Sequence, residues 1–284
     1  MLISRGLIIS NVDKAIHYLE NIGYYRLTGY MLTFQMPDSH TFKENTDFDD
    51  IMRVYSFDRK LRILLLDIIE RIEVAIKAAI SNHMSLALGN PHWYLEETSF
   101  KNSAYSEELK MKVKDSIAEN SEMFLSHYLS KYTEPDMPPS WMMMELVTLG
   151  TVSRIYENIA PSNKVREDIA RSFKTLTSTL ESWLKAMRYL RNLCAHHQRV
   201  WNKRLIIQPR LPNRKEYRVL INMDEKVTHK KLYGILSCML YLLGSINPNS
   251  DFRVKLLTLM KDYSIDPAAL GFHVKWKEEE IWGI

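Results

Sequence analysis

The chain has 284 residues, 46% of them hydrophobic and 25% charged, enough apolar mass for one large domain or two modest ones. Nine glycines and ten prolines are too few for collagen-like, low-complexity or long disordered architecture, and they disfavour an all-β sandwich with its many turns. Thirty-eight Lys and Arg against 34 Asp and Glu leave a net charge of +4, which permits an anionic partner without demanding one.

The two cysteines, Cys194 and Cys238, are too few for a disulfide framework or a four-cysteine metal site, and they point to a reducing compartment. The N-terminus lacks the apolar segment of a secretory signal. The longest uncharged stretch, 232–250, contains Gly234, Gly244, Asn247, Pro248 and Asn249, so its apolar part falls short of a membrane span and reads as a buried helix. A soluble, cytoplasmic protein is expected.

The first helix is expected over 11–21, with Asn11 as cap and Gly23 as stop. An aromatic-rich turn follows at Tyr24-Tyr25-Arg26-Leu27-Thr28-Gly29-Tyr30, and 37–47 reads as a polar loop. From 48 to 88 Leu61, Leu64, Leu65, Ile68, Ile69, Ile72, Ile76 and Ile80 recur at three- and four-residue spacing, so one long helix ends at Gly89-Asn90-Pro91. Weaker helices are expected at 106–118 and 121–132. Another starts at Ser140 or Trp141 and is interrupted at Gly150, and short ones follow at 151–159 and 163–173. A long helix then spans 177–201. Two prolines and alternating residues in 204–223 predict a short hairpin or extended lobe, and helices at 229–246 and 252–263 close the chain. The fold class is all-α, with 1–47 as an N-terminal extension and 48–284 as a helical domain with one continuous core.

Residues 183–201 carry the chemistry. On a helix Arg188, Arg191, Asn192, His196 and Arg199 share one face around the small Ala195, while Trp183, Met187, Leu190, Leu193, Cys194 and Val200 form the opposite, core face. The polar face is purely cationic, whereas a merely solvated face usually mixes signs. A histidine among cations loses its proton readily and can serve as a general base near pH 7. Arg191 and His196 lie about 140° apart around the axis, at the two edges of the stripe. A second copy of the helix facing the first would bring them together. An anion or phosphate site and a solvated face both remain open on this evidence.

Arg191-Asn192-Leu193-Cys194-Ala195-His196 resembles the R-x(4–6)-H motif of the HEPN superfamily. Six strings occur in order along the chain: Tyr24-Tyr25-Arg26-Leu27, Phe57-Asp58-Arg59-Lys60-Leu61-Arg62, Glu70-Arg71-Ile72-Glu73, Pro139-Ser140-Trp141, Glu145-Leu146 and Leu190-Arg191-Asn192-Leu193-Cys194-Ala195-His196-His197. With Arg199, Trp201 and Asn202 they resemble the Abi-like abortive-infection family of bacteria. The resemblance implies a HEPN-type helical bundle, a role in defence against bacteriophage, and metal-independent cleavage of RNA by attack of the ribose 2′-OH, with no cofactor. His196 would be the general acid/base, Arg191 would bind the phosphate, and Asn192 would orient either. Arg188, Arg199 and His197 would either contact the RNA backbone or serve the structure. The site would lie at a homodimer interface. Family members usually carry more residues before the equivalent of Ser4-Arg5-Gly6-Leu7, which implies a short N-terminus here. The alternatives are a non-catalytic protein that holds a structured non-coding RNA, and a module whose stripe meets an acidic protein.

Other groups are read more plainly. His196 and His197 point about 100° apart and cannot chelate one metal without distortion, and no HExxH, Cys/His cluster or Gly-rich phosphate loop occurs. Cys194 falls on the apolar side, as an inert core thiol. Glu70 and Glu73 make local ion pairs or hold an arginine of the 177–201 helix. Tyr24, Tyr25, Arg26 and Tyr30 either pack the first helix as a buried cluster or stack on unpaired bases. Trp141-Met142-Met143-Met144 reads as adaptable core.

Overall fold

The computed structural model describes residues 1–119, 122–160, 164–211 and 230–283. They form eleven α-helices, and among the described residues there is no strand, only isolated single-residue bridges such as Ile8 with Asp47.

Helix α1 (Val12–Ile22) opens where expected: the Asn11 side-chain oxygen accepts the Lys14 backbone N–H at 2.9 Å, and Gly23 ends the helix at φ 89°. The chain then restarts at once. The stretch expected as an aromatic turn is α2 (Tyr24–Met31), because Leu27, Tyr30 and Met31 give it an apolar stripe that is buried against the next helix.

That helix, α3 (Phe48–Leu88), is the strut of the fold. Asp47 caps it, accepting the Asp49 N–H at 2.8 Å while the Asp50 carboxylate accepts the Asp47 N–H. Its 41 residues span about 60 Å. Apolar residues from Phe48 through Leu61, Leu65, Ile69, Ile72, Ile76 and Ile80 to Met84 recur at helical spacing and are buried, and Gly89 closes the helix in the left-handed conformation.

Around it stand α4 (Ala104–Glu119), α5 (Met123–Lys131), α6 (Ser140–Leu146), α7 (Leu149–Asn158), α8 (Val165–Ser172), α9 (Thr177–Ala195), α10 (Leu232–Ile246) and α11 (Phe252–Asp262). Helices α6, α7, α8, α9, α10 and α11 all pack on α3. Gly150 does not interrupt a helix. The break falls at Val147 and Thr148, and Gly150 sits in the first turn of α7, where a Cβ would stand 3.6 Å from Cδ of Arg188.

Leu2, Leu7 and Phe42 from the first 47 residues join Trp183, Leu236 and Trp282 in one hydrophobic cluster. Of the segment expected as a hairpin, 204–211 is a single non-helical run, and the rest lies outside the described residues. That run is held by Leu205, whose N–H donates to the Lys230 carbonyl at 2.7 Å, and by Arg210, whose carbonyl accepts from Trp183 Nε1 at 2.7 Å. No helix among the described residues is long and apolar enough to cross a membrane.

Candidate nucleic-acid interface at the end of α9

The core face of α9 is as the sequence foretells: Trp183, Met187, Leu190, Leu193 and Cys194 are all buried. Arg188 and Asn192 lie on the outer side and line a shallow depression with Lys112, Gly150 and Arg154. Arg191 is half-buried at the edge, its Nη1 3.4 Å from the Asn192 side-chain oxygen.

The helix does not continue to Trp201. It ends at Ala195, and His196 is its exposed terminal residue. The His197 N–H donates to the Cys194 carbonyl at 3.0 Å and the Gln198 N–H to the Leu193 carbonyl at 2.9 Å. This double closure is the usual helix stop built around a left-handed residue. Here the left-handed residue is His197, at φ 55°, where glycine is the common choice. Neither glycine nor proline marks the end, so the apolar spacing alone could not reveal it.

What turns the chain is tertiary. Residues 196–201 form a strap drawn across α2 and α3. The buried Asp58 carboxylate accepts the Trp201 N–H at 2.6 Å and the Val200 N–H at 3.1 Å through Oδ1. Through Oδ2 it accepts from Tyr30 Oη at 2.6 Å and from Arg62 Nη1. Arg26 Nη2 donates to the His197 carbonyl, and Arg199 Nη1 donates to the Gly29 carbonyl. Val200 is buried, as expected, but from the strap and not from the helix.

The placement of Arg199 is therefore a correction. It is off the α9 stripe, half-buried, and engaged with the α2 backbone, so the cationic face of α9 reduces to Arg188, Arg191 and Asn192 with His196 at its tip. No hydrogen bond joins Arg191 to His196 among the described residues. His197 lines a separate cleft with Arg26, Arg59 and Arg62. Glu73 pairs with Lys77 at 3.2 Å on its own helix, and among the described residues neither it nor Glu70 pairs with an arginine of α9. Tyr30 packs against Tyr55 and Trp201 in the interior, whereas Tyr24 and Tyr25 are exposed. Trp141 is likewise exposed, and Met143 and Met144 are core.

The network around Asp58 was the part of the site that the helical pattern could have disclosed. Asp58 and Arg62 stand four residues apart on the same stripe as Val54, Leu61, Leu65 and Ile69, so two opposite charges occupy an apolar face. Burial raises the Asp58 carboxyl above its ordinary value, and its Tyr30, Arg62 and backbone donors oppose that shift. Burial beside that carboxylate also pushes the Tyr30 hydroxyl up.

Burial pushes the Cys194 thiol up to about 12. A thiol so placed holds almost no thiolate at neutral pH. The native protein is expected to resist Ellman's reagent at pH 7.5 and to release two thiols once unfolded in guanidinium, and fast stoichiometric labelling of Cys194 in the native state would contradict this placement. Among the described residues no three His, Cys, Asp or Glu side chains gather as metal ligands would.

A family model described as Abi-like protein matches residues 17–202. The matched stretch opens within α1 and closes one residue past Trp201, so it contains α2, the Asp58 network, the end of α9 and the strap. No curated protein and no solved structure matches the chain. With α2, α3, α9 and the strap all inside the match, the chain belongs to the Abi-like protein family.

Proposed function

We propose that the protein is a cytoplasmic abortive-infection factor that acts against bacteriophage as a metal-independent endoribonuclease of HEPN type. One observation carries this reading. The last turn of α9 sets Asn192 and His196 in solvent beside the half-buried Arg191, and among the described residues no carboxylate pairs with Arg188, Arg191 or His196. Unneutralised guanidinium next to an accessible imidazole suits a phosphodiester.

The chemistry balances without a co-reactant. The ribose 2′-oxygen attacks the neighbouring phosphorus while an imidazole removes its proton, the P–O5′ bond breaks, and a protonated imidazole returns a proton to the 5′-oxygen. His196 moves the proton. Arg191 holds the non-bridging oxygens as charge builds on the phosphorane, and Asn192 orients either partner. Arg188 and His197 contact the strand on either side. The wide angle between Arg191 and His196 favours a homodimer in which each protomer completes the other's site.

The missing Arg191–His196 bond also favours a second reading, in which the same surface holds a structured RNA without cutting it. Purified wild type and the Arg191→Ala/His196→Ala double variant, each incubated with total RNA, separate the two. The wild type is expected to fragment the RNA and the double variant to bind it intact. Equal degradation by both would overturn the enzyme reading.

A further inference from the structure

Beside the strap, and not lined by Arg188, lies an open cleft of roughly 580 Å³, within the usual size range for small-ligand sites. Its walls come from the corner between α1 and α2, from α3, and from the strap. Arg26, Arg59, Arg62 and His197 line it, with Ile63 and Leu66 one turn along α3 from Arg59 and Arg62. No carboxylate lines it among the described residues.

The three arginines are not equivalent. Arg62 is buried and gives Nη1 to Asp58, Tyr30 Oη and, at 3.5 Å, the Gln198 carbonyl, so its charge is offset and its position fixed. Arg26 gives Nη2 to the His197 carbonyl and is fixed on that side. Arg59 is exposed and has no ion pair among the described residues. Two anchored guanidinium groups and one unengaged one therefore border a single concavity, and of these the exposed Arg26 and Arg59 are left to meet the oxygens of a phosphate.

Apolar surface adjoins the guanidinium groups on α3. Ile63 is 59% exposed at the cleft, one turn along α3 from Arg59, with Leu66 half-buried beside it. Guanidinium groups beside an exposed aliphatic strip of wall match an anionic phosphate joined to a flat, weakly polar ring.

We infer that this cleft binds one nucleotide, its phosphate on Arg59 and Arg26 and its base against Ile63 and Leu66. A base can reach that wall only when it is unstacked and unpaired, so the cleft selects single-stranded RNA or a free nucleotide over a duplex. The identification of the strand as RNA rests on the reading of the α9 end given above; the affinity for a nucleotide does not. Because His197 belongs to the cleft and His196 to the α9 face, a strand seated here runs directly to the proposed cleavage site.

The test is fluorescence anisotropy with a short 2′-O-methyl oligonucleotide, which binds but offers no 2′-OH to attack. Three forms are compared, each checked for native helicity: wild type, Arg59→Glu and Ile63→Ser. Arg59→Glu is expected to weaken binding roughly tenfold or more and to lower the salt dependence by about one phosphate contact. Ile63→Ser changes no charge and is expected to weaken binding several-fold with the salt dependence unchanged, which a merely cationic surface would not do. A duplex of the same sequence should bind as well to Ile63→Ser as to wild type.

Displacement of the oligonucleotide by millimolar AMP identifies a free nucleotide as a sufficient ligand, and its failure identifies the strand; either supports the cleft. Wild-type affinity in both variants overturns it. Such a result with RNA cleavage intact removes the cleft alone, whereas cleft-dependent binding without any cleavage removes the enzyme reading alone.

Discussion

Replacing Asp58 by alanine is expected to cost about 3–5 kcal/mol of stability, a large share of the roughly 5–15 kcal/mol that holds a typical domain folded. The size follows from what is left behind. Arg62, with a side chain only 5% exposed, would keep a buried charge without its partner, and the N–H groups of Val200 and Trp201 would lose their acceptor. The strap would be released from α3, and with it the turn that ends α9. Should Asp58→Ala fail to fold at all, Tyr30→Phe gives a milder measure: it deletes the O–H that reaches Oδ2 and the oxygen that accepts from Arg62 Nη1 at 3.4 Å, at about 1–3 kcal/mol, and leaves the carboxylate in place. Urea unfolding followed by circular dichroism reads both. Changes below about 0.5 kcal/mol in both variants would show that the strap is held by something other than this carboxylate.

The second large effect is on chemistry. His196→Ala is expected to lower the rate of RNA cleavage by about 10²–10⁴, the usual contribution of a positioned acid or base, with a stability change within about 0.5 kcal/mol. The stability expectation comes from exposure: the imidazole sits on the last turn of α9 without a hydrogen bond among the described residues. His197→Ala should have a different signature. Its carbonyl, not its ring, receives Arg26, so that bond survives, and alanine meets the same left-handed strain as the histidine it replaces, so stability stays near wild type and only a strand contact is lost. Single-turnover cleavage of a labelled oligoribonucleotide, with melting curves alongside, resolves the pair. Loss of activity in His197→Ala with full activity in His196→Ala would exchange their roles.

Much of the architecture was legible because α3 states itself. Its apolar residues keep helical register for 41 positions between an aspartate cap and a glycine stop, and nothing tertiary has to be known to find it. The core face of α9 was equally plain. The end of α9 was not, since it is imposed from outside: Asp58, Arg26 and Gly29 are far away in sequence and take hold of the strap only in the folded chain. Reading the helix through to Trp201 placed Arg199 on a face that it does not share. Helix α2 was missed for a related reason. Eight residues rich in tyrosine carry little helical signal alone, and their apolar stripe gains meaning only against α3.

The same interactions explain why motifs scattered between residues 24 and 202 travel together. Tyr30 and Arg26 on α2, Asp58 and Arg62 on α3, and the backbone of 197–201 form one connected structure, and it places His196 at the tip of α9. The cationic face of α9 thereby has a fixed edge, on which the proposed site rests.

The chemistry of the cut ends decides most directly whether that site acts on RNA as proposed. Purified protein incubated with total RNA in excess EDTA should produce new 3′ ends bearing 2′,3′-cyclic phosphate and new 5′ ends bearing hydroxyl, because the 2′-oxygen is the nucleophile and no metal-bound water takes part. Cleavage that stops on chelation, or that leaves 5′-phosphate and 3′-hydroxyl ends, would contradict it.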